Sequence, residues 1–335
     1  MSTVKDKPVK IDFKQRRRKP RGRRVEPSTL KEVQLLMGEM PRRRDLLIEA
    51  LHLIQDHCNH LPAEHLVTLA SEFKLAPTEV FEVATFYHHF DVVKEPDPTF
   101  LQVRVRVCDS MSCRMAGAES LITELEKTLD GKARIQRVPC VGRCQHAPVA
   151  VVGQNPVDEA SPQEVSSRVQ AGVIHPVLPE YVNYRSYREQ GGYSTYQECV
   201  SGSRNPEQVI RILQDSNLRG LGGAGFPAGK KWSIVRSFPA PRLLAVNIDE
   251  GEPGTFKDRF FLDSDPHRFL EGSLIAAWAV KLDEIYLYLR DEYAASRKIL
   301  IRELNALKED PHIHLPEIHL RRGAGAYVCG EESAM

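Results

Sequence analysis

The chain has 335 residues, 41% of them hydrophobic, and a formal net charge of +1. That length accommodates two or three domains with substantial cores, and the balanced charge gives no global argument for a polyanionic partner. Seven cysteines are too few and too irregularly placed for a disulfide framework in so long a chain, so a reducing cytoplasm is the expected compartment.

Residues 1–24 carry eleven Lys or Arg against two Asp and have almost no apolar periodicity. This composition predicts a basic, disordered, solvated tail that docks on a partner. It lacks the apolar run of a secretory signal and the amphipathic face of an organelle presequence, and no later stretch approaches a membrane span. No folded basic surface follows it, which argues against nucleic acid as the partner.

From 42 to 90, Leu46, Leu47, Ala50, Leu51 and Ile54 recur at helical spacing, and Pro62 and Pro77 mark helix starts. The pattern predicts a bundle of three or more helices. His57, His60, His65, His88 and His89 match no single-face metal pair, save 57 with 60, and read as exposed or capping residues.

The period then changes. "FLQVRVRV" alternates as a strand, "GAESLITELEKTL" is helical, and "ARIQRVP" and "APVAVVG" are strands, a small α/β unit. Residues 155–208 read as mixed and loop-like, with one short helix and a tyrosine-rich connector, and the domain boundary is expected near 180. Beyond it come a helix, a glycine-rich loop, the strand "RLLAVNID", an acidic turn, the helix "HRFLEGSLIAAWAVKL", the strand "EIYLYLR", another helix and the strand "EIHLRR". Strands separated by helices indicate a parallel or mixed sheet.

Four cysteines carry the first chemistry. Cys108, Cys113, Cys140 and Cys144 form C-x4-C-x26-C-x3-C, and the sequence puts all four in loops at strand ends. Four thiolates on two neighbouring loops can enclose zinc or a two-iron cluster. Zinc ribbons mostly use two-residue gaps around one ion, whereas the wider gaps here favour ligand pairs spread over two irons. Cys58, Cys199 and Cys329 lack such neighbours and read as small buried residues.

The segment "LRGLGGAGFPAGKKW" (218–232) carries Gly220, Gly222 and Gly225 in a G-x-G-x-x-G match. The dinucleotide fingerprint needs a strand before and a helix after; a helix is predicted upstream, and Pro227 interrupts the chain downstream. The Walker pattern fails as well, because Lys231 stands where Ser or Thr is required. A loop so poor in side chains still suits a phosphate held by backbone N–H groups. In "NIDEGEPGTFKDR" (247–259), Asn247, Asp249, Glu250 and Glu252 follow a strand directly, where open α/β sheets bind ligands. Their oxygens suit hydroxyls, amides and ring N–H groups. "RRGAGAYVCGEES" (321–333) repeats the arrangement and ends on Glu331 and Glu332. Three such turns favour a large ligand with an anionic end and a polar ring, a nucleotide or flavin.

These three segments resemble the signature motifs of the FMN- and NADH-binding subunit of respiratory complex I. Residues 42–150 resemble its thioredoxin-like 2Fe-2S companion, a separate chain there. The fusion is more similar to diaphorase subunits of NAD-dependent formate dehydrogenases and NAD-reducing hydrogenases. "RDLLIEALHLIQD", "ATFYHHFDVVKE" and "DPHRFLEG" most resemble the beta subunit of the molybdenum- or tungsten-containing formate dehydrogenase. The resemblance implies a basic tail (1–40), a helical bundle (41–95), a thioredoxin-like 2Fe-2S domain with linker (96–180) and the first part of an α/β FMN/NADH domain (181–335).

It also implies FMN held by Gly220, Gly222, Gly223, Lys231, Asn247, Asp249, Glu250, Tyr327, Gly330 and Glu331. NADH would meet Phe226, Glu252 and Glu332, and the 2Fe-2S cluster would sit on Cys108, Cys113, Cys140 and Cys144. No side chain is nominated as catalytic, since hydride transfer belongs to the cofactors. The implied partner is a molybdopterin-containing formate dehydrogenase alpha subunit in a hetero-oligomer, and a 4Fe-4S cluster is expected only in a C-terminal part beyond Met335. A hydrogenase or complex I module, a non-catalytic 2Fe-2S docking protein and a zinc-binding adaptor are the alternatives. Leu221 replaces the family's usual Arg, and Ile234 replaces a usual aromatic.

Overall fold

A computed structural model of the chain describes residues 22–94 and 103–335. The basic run 1–21, and with it most of the expected tail, lies outside the described residues, as does the start of "FLQVRVRV".

Helix α1 (Pro27–Met37) opens the described chain and falls inside the stretch expected to be tail. Thr29, Val33 and Met37, four residues apart, are its buried face, and Pro27 sits in its first turn. It packs with α2 (Leu47–Cys58) and α3 (Ala63–Phe73), which in turn pack on α4 (Pro77–Phe86). Leu47, Ala50, Leu51 and Ile54 of α2 are almost wholly buried, each Leu or Ile contributing about 1.5–3 kcal/mol of transfer free energy. The short strands β1 (Leu61–Pro62) and β2 (Val92–Val93) pair in parallel to close the bundle. The histidines depart from expectation: His65 and His89 are buried, and only His57 is substantially exposed.

The second unit is a four-stranded sheet in the order β4-β3-β5-β6. Its strands are β3 (Arg104–Cys108), β4 (Arg134–Val138), β5 (Ala150–Val152) and β6 (Asn155–Val157). β3 and β4 run parallel; β5 and β6 are antiparallel to their neighbours. Helices α5 (Met111–Met115), α6 (Ala118–Thr128) and α7 (Pro162–Gln170) accompany it, and Leu121, Ile122 and Leu125 of α6 fill its core. β6, in the segment read as loop-like, is a three-residue strand too short for a period-2 signal.

The tyrosine-rich connector forms α8 (Tyr184–Glu189) and α9 (Ser194–Val200), followed by α10 (Pro206–Asp215). A reciprocal capping box of Asn205 and Gln208 opens α10. A helix, α11 (Ala228–Ser237), does begin just past the glycine-rich loop, with Pro227 at its N-cap. The dinucleotide fingerprint still fails, because a helix rather than a strand precedes the loop. β7 (Leu243–Ile248), α12 (Lys257–Ser264), α13 (Pro266–Val280), β8 (Glu284–Leu289), α14 (Ala294–Lys308) and β9 (Glu317–Arg322) complete the described chain. The sheet is parallel throughout, in the order β7-β8-β9. Ile285, Leu287 and Leu289 alternate onto the face covered by α13 and α14, while Tyr288 packs into the core of the N-terminal bundle.

A buried ionic knot ties the three units. Asp291, just past β8, is 3% exposed; it accepts from Arg322 Nε, lies 3.0 Å from His89 Nδ1 and 3.7 Å from Arg106 Nη1. Arg322 also donates to the carboxylate of Asp56 on α2. Burial alone would raise the Asp291 carboxyl, but His89, Arg322, His52 and Arg106 hold it well below the usual range. Removing one member strands the others as uncompensated charge. Asp291→Ala should therefore lower unfolding free energy by about 3–5 kcal/mol, read as a fall in urea midpoint; an unchanged midpoint would contradict this role.

Candidate functional site

The structure brings the four cysteines into one neighbourhood. Cys140 Sγ lies 3.3 Å from Cys144 Sγ, and Cys108 is hydrogen-bonded to both Cys113 and Cys140. Their settings differ from loops throughout: Cys108 ends β3, Cys113 lies in the one-turn helix α5, and Cys144 opens a 3-10 turn. Three are almost fully buried. Hydrogen bonding to Cys108 and then burial push the Cys140 thiol well above its usual range. Among the described residues, the trios whose ligand atoms all lie within 4.8 Å of one another are elsewhere, and none is made of these cysteines. Two sulfur pairs spread in this way fit a two-iron cluster better than a single tetrahedral ion.

The glycine-rich loop is an exposed hairpin. Ala228 N donates to Leu218 O and Gly220 N to Phe226 O, so the tip 221–225 projects freely. Gly223 and Gly225 have φ of +99° and +61°, which side chains rarely adopt, and a Cβ on either would meet open space. Backbone geometry, not crowding, demands glycine there. Gly229 serves packing instead: its Cβ would stand 2.8 Å from Gln214 N and 2.9 Å from Ile210 O, where α11 crosses α10.

All three motifs converge on one cavity of about 640 Å³, within the usual size range of ligand pockets. Gly222, Gly223, Asn247, Asp249, Glu250, Glu252, Tyr327, Gly330 and Glu331 line it. Gly220, Phe226, Lys231 and Glu332 do not. Gly220 closes the hairpin, Phe226 is half exposed with Lys230 Nζ 5.9 Å from its ring, and Lys231 is exposed on α11. The sequence reading missed Thr255, Lys257, Asp258 and Phe261, which also line the cavity. The last three belong to α12, a helix that begins at the end of the segment read as a turn and runs on past it.

The lining residues are held in distinct ways. Asn247 Nδ2 donates to Gly330 O at 2.8 Å, and its Oδ1 accepts from Asp249 N, tying the second motif to the third. A Cβ on Gly330 would lie 3.2 Å from both Asp249 O and Asp249 Oδ2. Tyr327 OH donates to Glu252 Oε1 at 2.6 Å. Glu250 is buried and saturated: it accepts from Asp258 N, Arg259 N, Lys257 Nζ and Tyr293 OH, capping α12. Its carboxylate is committed to the protein. Asp249 is the opposite case, because its buried Oδ2 has no hydrogen-bond partner. It is a buried acceptor beside Gly330 in the cavity wall, which a ligand N–H or hydroxyl would satisfy. The open glycine tip, this orphaned oxygen and the acceptor-rich floor fit a flavin nucleotide.

The cavity and the cysteines adjoin. Gly254 N donates to Cys144 Sγ at 3.1 Å, and Arg259 Nε to Gly142 O at 3.0 Å. Arg290 Nη2 donates to Cys140 O at 2.6 Å, while its Nη1 donates to Glu250 O. Gly142 lies so close to the Tyr293 ring that a Cβ would sit 2.5 Å from it.

Comparison with known proteins agrees with both halves. Residues 33–171 match the thioredoxin-like [2Fe-2S] ferredoxin family, and residues 213–335 match the Nuo51 FMN-binding domain. The chain joins these two domains. It is 30% identical to the NAD-reducing hydrogenase HoxS subunit alpha of Cupriavidus necator, over 87% of this chain and 55% of that one. To the mitochondrial NADH-ubiquinone oxidoreductase 51 kDa subunit of Neurospora crassa it is 42% identical, over 38% of this chain and 28% of that one. A crystal structure of NAD+-reducing [NiFe]-hydrogenase in the H2-reduced state superposes with a TM-score of 0.69 at 28% identity, over 88% of this chain and 54% of the other. The chain thus spans about half or less of the length of these relatives. Among the described residues, no helix is long and apolar enough to cross a membrane.

Burial raises the Asp249 carboxyl to about 6, with Arg290 opposing and Glu292 adding to the shift. A raised folded-state value means the proton stabilises the fold: that stability is full below the unfolded value near 3.8 and is lost as pH rises through about 6. Asp249→Asn should therefore stabilise the ligand-free chain at pH 7–8 by on the order of 1 kcal/mol after discounting for solvent, and by nothing near pH 3. Thermal melts of both forms across pH test this; a destabilised variant at pH 8 would refute it.

Proposed function

We propose that the chain is the NADH-linked electron-transfer part of a larger oxidoreductase, a diaphorase unit binding FMN, a nicotinamide nucleotide and a 2Fe-2S cluster. The observation that carries this reading is the direct contact between the motif lining the cavity and the cluster loop, Gly254 N to Cys144 Sγ. When bound, FMN exchanges two electrons as hydride with a nicotinamide and single electrons with an iron–sulfur cluster.

The protein's own part is placement. The backbone of Gly222 and Gly223 takes the phosphate, Asp249 Oδ2 accepts from the ring or ribityl hydroxyls, and Asn247 holds Gly330 against them. Glu252, at the exposed rim, receives the nicotinamide nucleotide, and Tyr327, which donates to it, closes the flavin pocket. Phe226 acts only if the hairpin folds over a ligand, while Lys231 on α11 and Glu332 beyond β9 stand outside the cavity. Glu250 works through α12 and Arg290 rather than by touching the flavin.

For the partner we propose a molybdopterin-containing formate-oxidising subunit, with electrons passing toward NAD+ in the cytoplasm. The resemblance of "RDLLIEALHLIQD", "ATFYHHFDVVKE" and "DPHRFLEG" to formate dehydrogenase beta subunits supports it. The hydrogenase reading rests on the relative that spans 87% of this chain. Metal analysis of the natively purified complex separates them: molybdenum or tungsten supports the first, nickel the second.

Binding of FMN is tested on the chain itself by quenching of flavin fluorescence. Gly223→Val, at φ of +99°, should weaken FMN at least tenfold without changing iron content. Equal affinity would remove the loop from the flavin site.

A further inference from the structure

Away from the cavity and the cluster, three helices of the bundle converge on a mixed set of ligating groups. Glu32 on α1, Cys58 at the end of α2 and His65 on α3 bring one ligand atom each within 4.8 Å of the others. The His65 side chain is 5% exposed; its Nε2 stands 3.4 Å from Glu32 Oε2 and 3.9 Å from Cys58 Sγ. A tetrahedral zinc ion, with bonds of about 2.1 Å to nitrogen and oxygen and about 2.3 Å to sulfur, sets those edges at about 3.4 and 3.6 Å. The observed separations match to within a few tenths of an ångström.

The surroundings favour a cation too. His65 Nδ1 is buried without a hydrogen-bond partner and lies 4.0 Å from Glu64 Oε1. Metal-bound histidines usually give that second N–H to a carboxylate, and the exposed Glu64 side chain would have to move less than about 1.5 Å to accept it. Glu32 and Glu64 both set negative charge beside the Cys58 thiol. His57 Nε2, 3.2 Å from Glu32 Oε1, holds the carboxylate's other oxygen. Two other trios are less suited. His52, His89 and Asp291 are surrounded by Arg106 and Arg322, and Glu284, Glu317 and His319 offer no thiol.

We propose that Glu32, Cys58 and His65 bind one zinc ion, with His57 orienting Glu32 and the fourth position open to solvent. Thiolate, imidazole and carboxylate together suit zinc, and binding releases the Cys58 thiol proton to solvent. The ion would staple α1 to α2 and α3. A sequence reading treats Cys58 as a small buried residue and these histidines as exposed or capping, because the three ligands come from separate helices.

The test is elemental analysis of the full chain after equilibration with zinc and gel filtration, counting iron in the same samples. The expected result is one zinc per chain in the native protein, lost in Cys58→Ser and His65→Ala while iron stays constant. Constant iron separates this site from zinc misloaded at the four-cysteine centre. Should either variant fail to fold, Glu32→Gln, on a half-exposed carboxylate, should weaken zinc at least tenfold in competition with a chelator. Cobalt substitution gives a second readout: a sulfur-to-metal charge-transfer band present in the native chain and absent from Cys58→Ser. No zinc in the native protein, or undiminished zinc in Cys58→Ser, would overturn the proposal.

Discussion

Arg290 is the residue on which the two halves of the site depend. Its guanidinium is 4% exposed, and it donates to the carbonyl of Glu250 in the acidic turn and to the carbonyl of Cys140 in the cysteine loop. A buried charge is tolerable only when its donors are satisfied, and here the acceptors come from two domains, with Glu292 completing the pairing. The domains therefore have a strong reason to keep one relative placement. Tyr293 against Gly142, Arg259 on Gly142 O and Gly254 on Cys144 Sγ then follow within the same contact.

The parallel sheet explains why this contact falls where it does. β7, β8 and β9 all end on the same side, so the acidic turn after β7, Arg290 and Asp291 after β8 and the glycine turn after β9 share one edge. One edge thus serves both purposes: Asp249 and Glu252 face the cavity, while Arg290 and Asp291 face the other domains. The glycine hairpin comes from elsewhere in the chain, and its Gly222 and Gly223 complete the wall of the same cavity.

Much of this was legible in the sequence, for physical reasons. The four cysteines stood out because ligand spacing is a local property, and the strands of the flavin domain because short runs rich in Leu, Ile, Val and Tyr alternate with helical segments. The glycines of the hairpin stood out because positive φ selects for them. Other features depend on distant partners and left no local signal. Glu250 and Asp249 are adjacent acids, yet one is saturated by α12 and the other has an orphaned oxygen. Lys257 was missed because α12 starts at the end of a motif read as a turn. Helix α1 was hidden by the basic run before it, although Thr29, Val33 and Met37 already marked its face.

The central claim is that the flavin cavity and the cysteine cluster form one electron-transfer unit within this chain. The most direct measurement is an electron paramagnetic resonance spectrum of the anaerobic protein, reconstituted with FMN, iron and sulfide, before and after NADH. The account predicts that NADH produces the signal of a reduced 2Fe-2S cluster, and that its intensity approaches the one dithionite gives. A cluster that dithionite reduces but NADH leaves silent, with FMN bound, would contradict it.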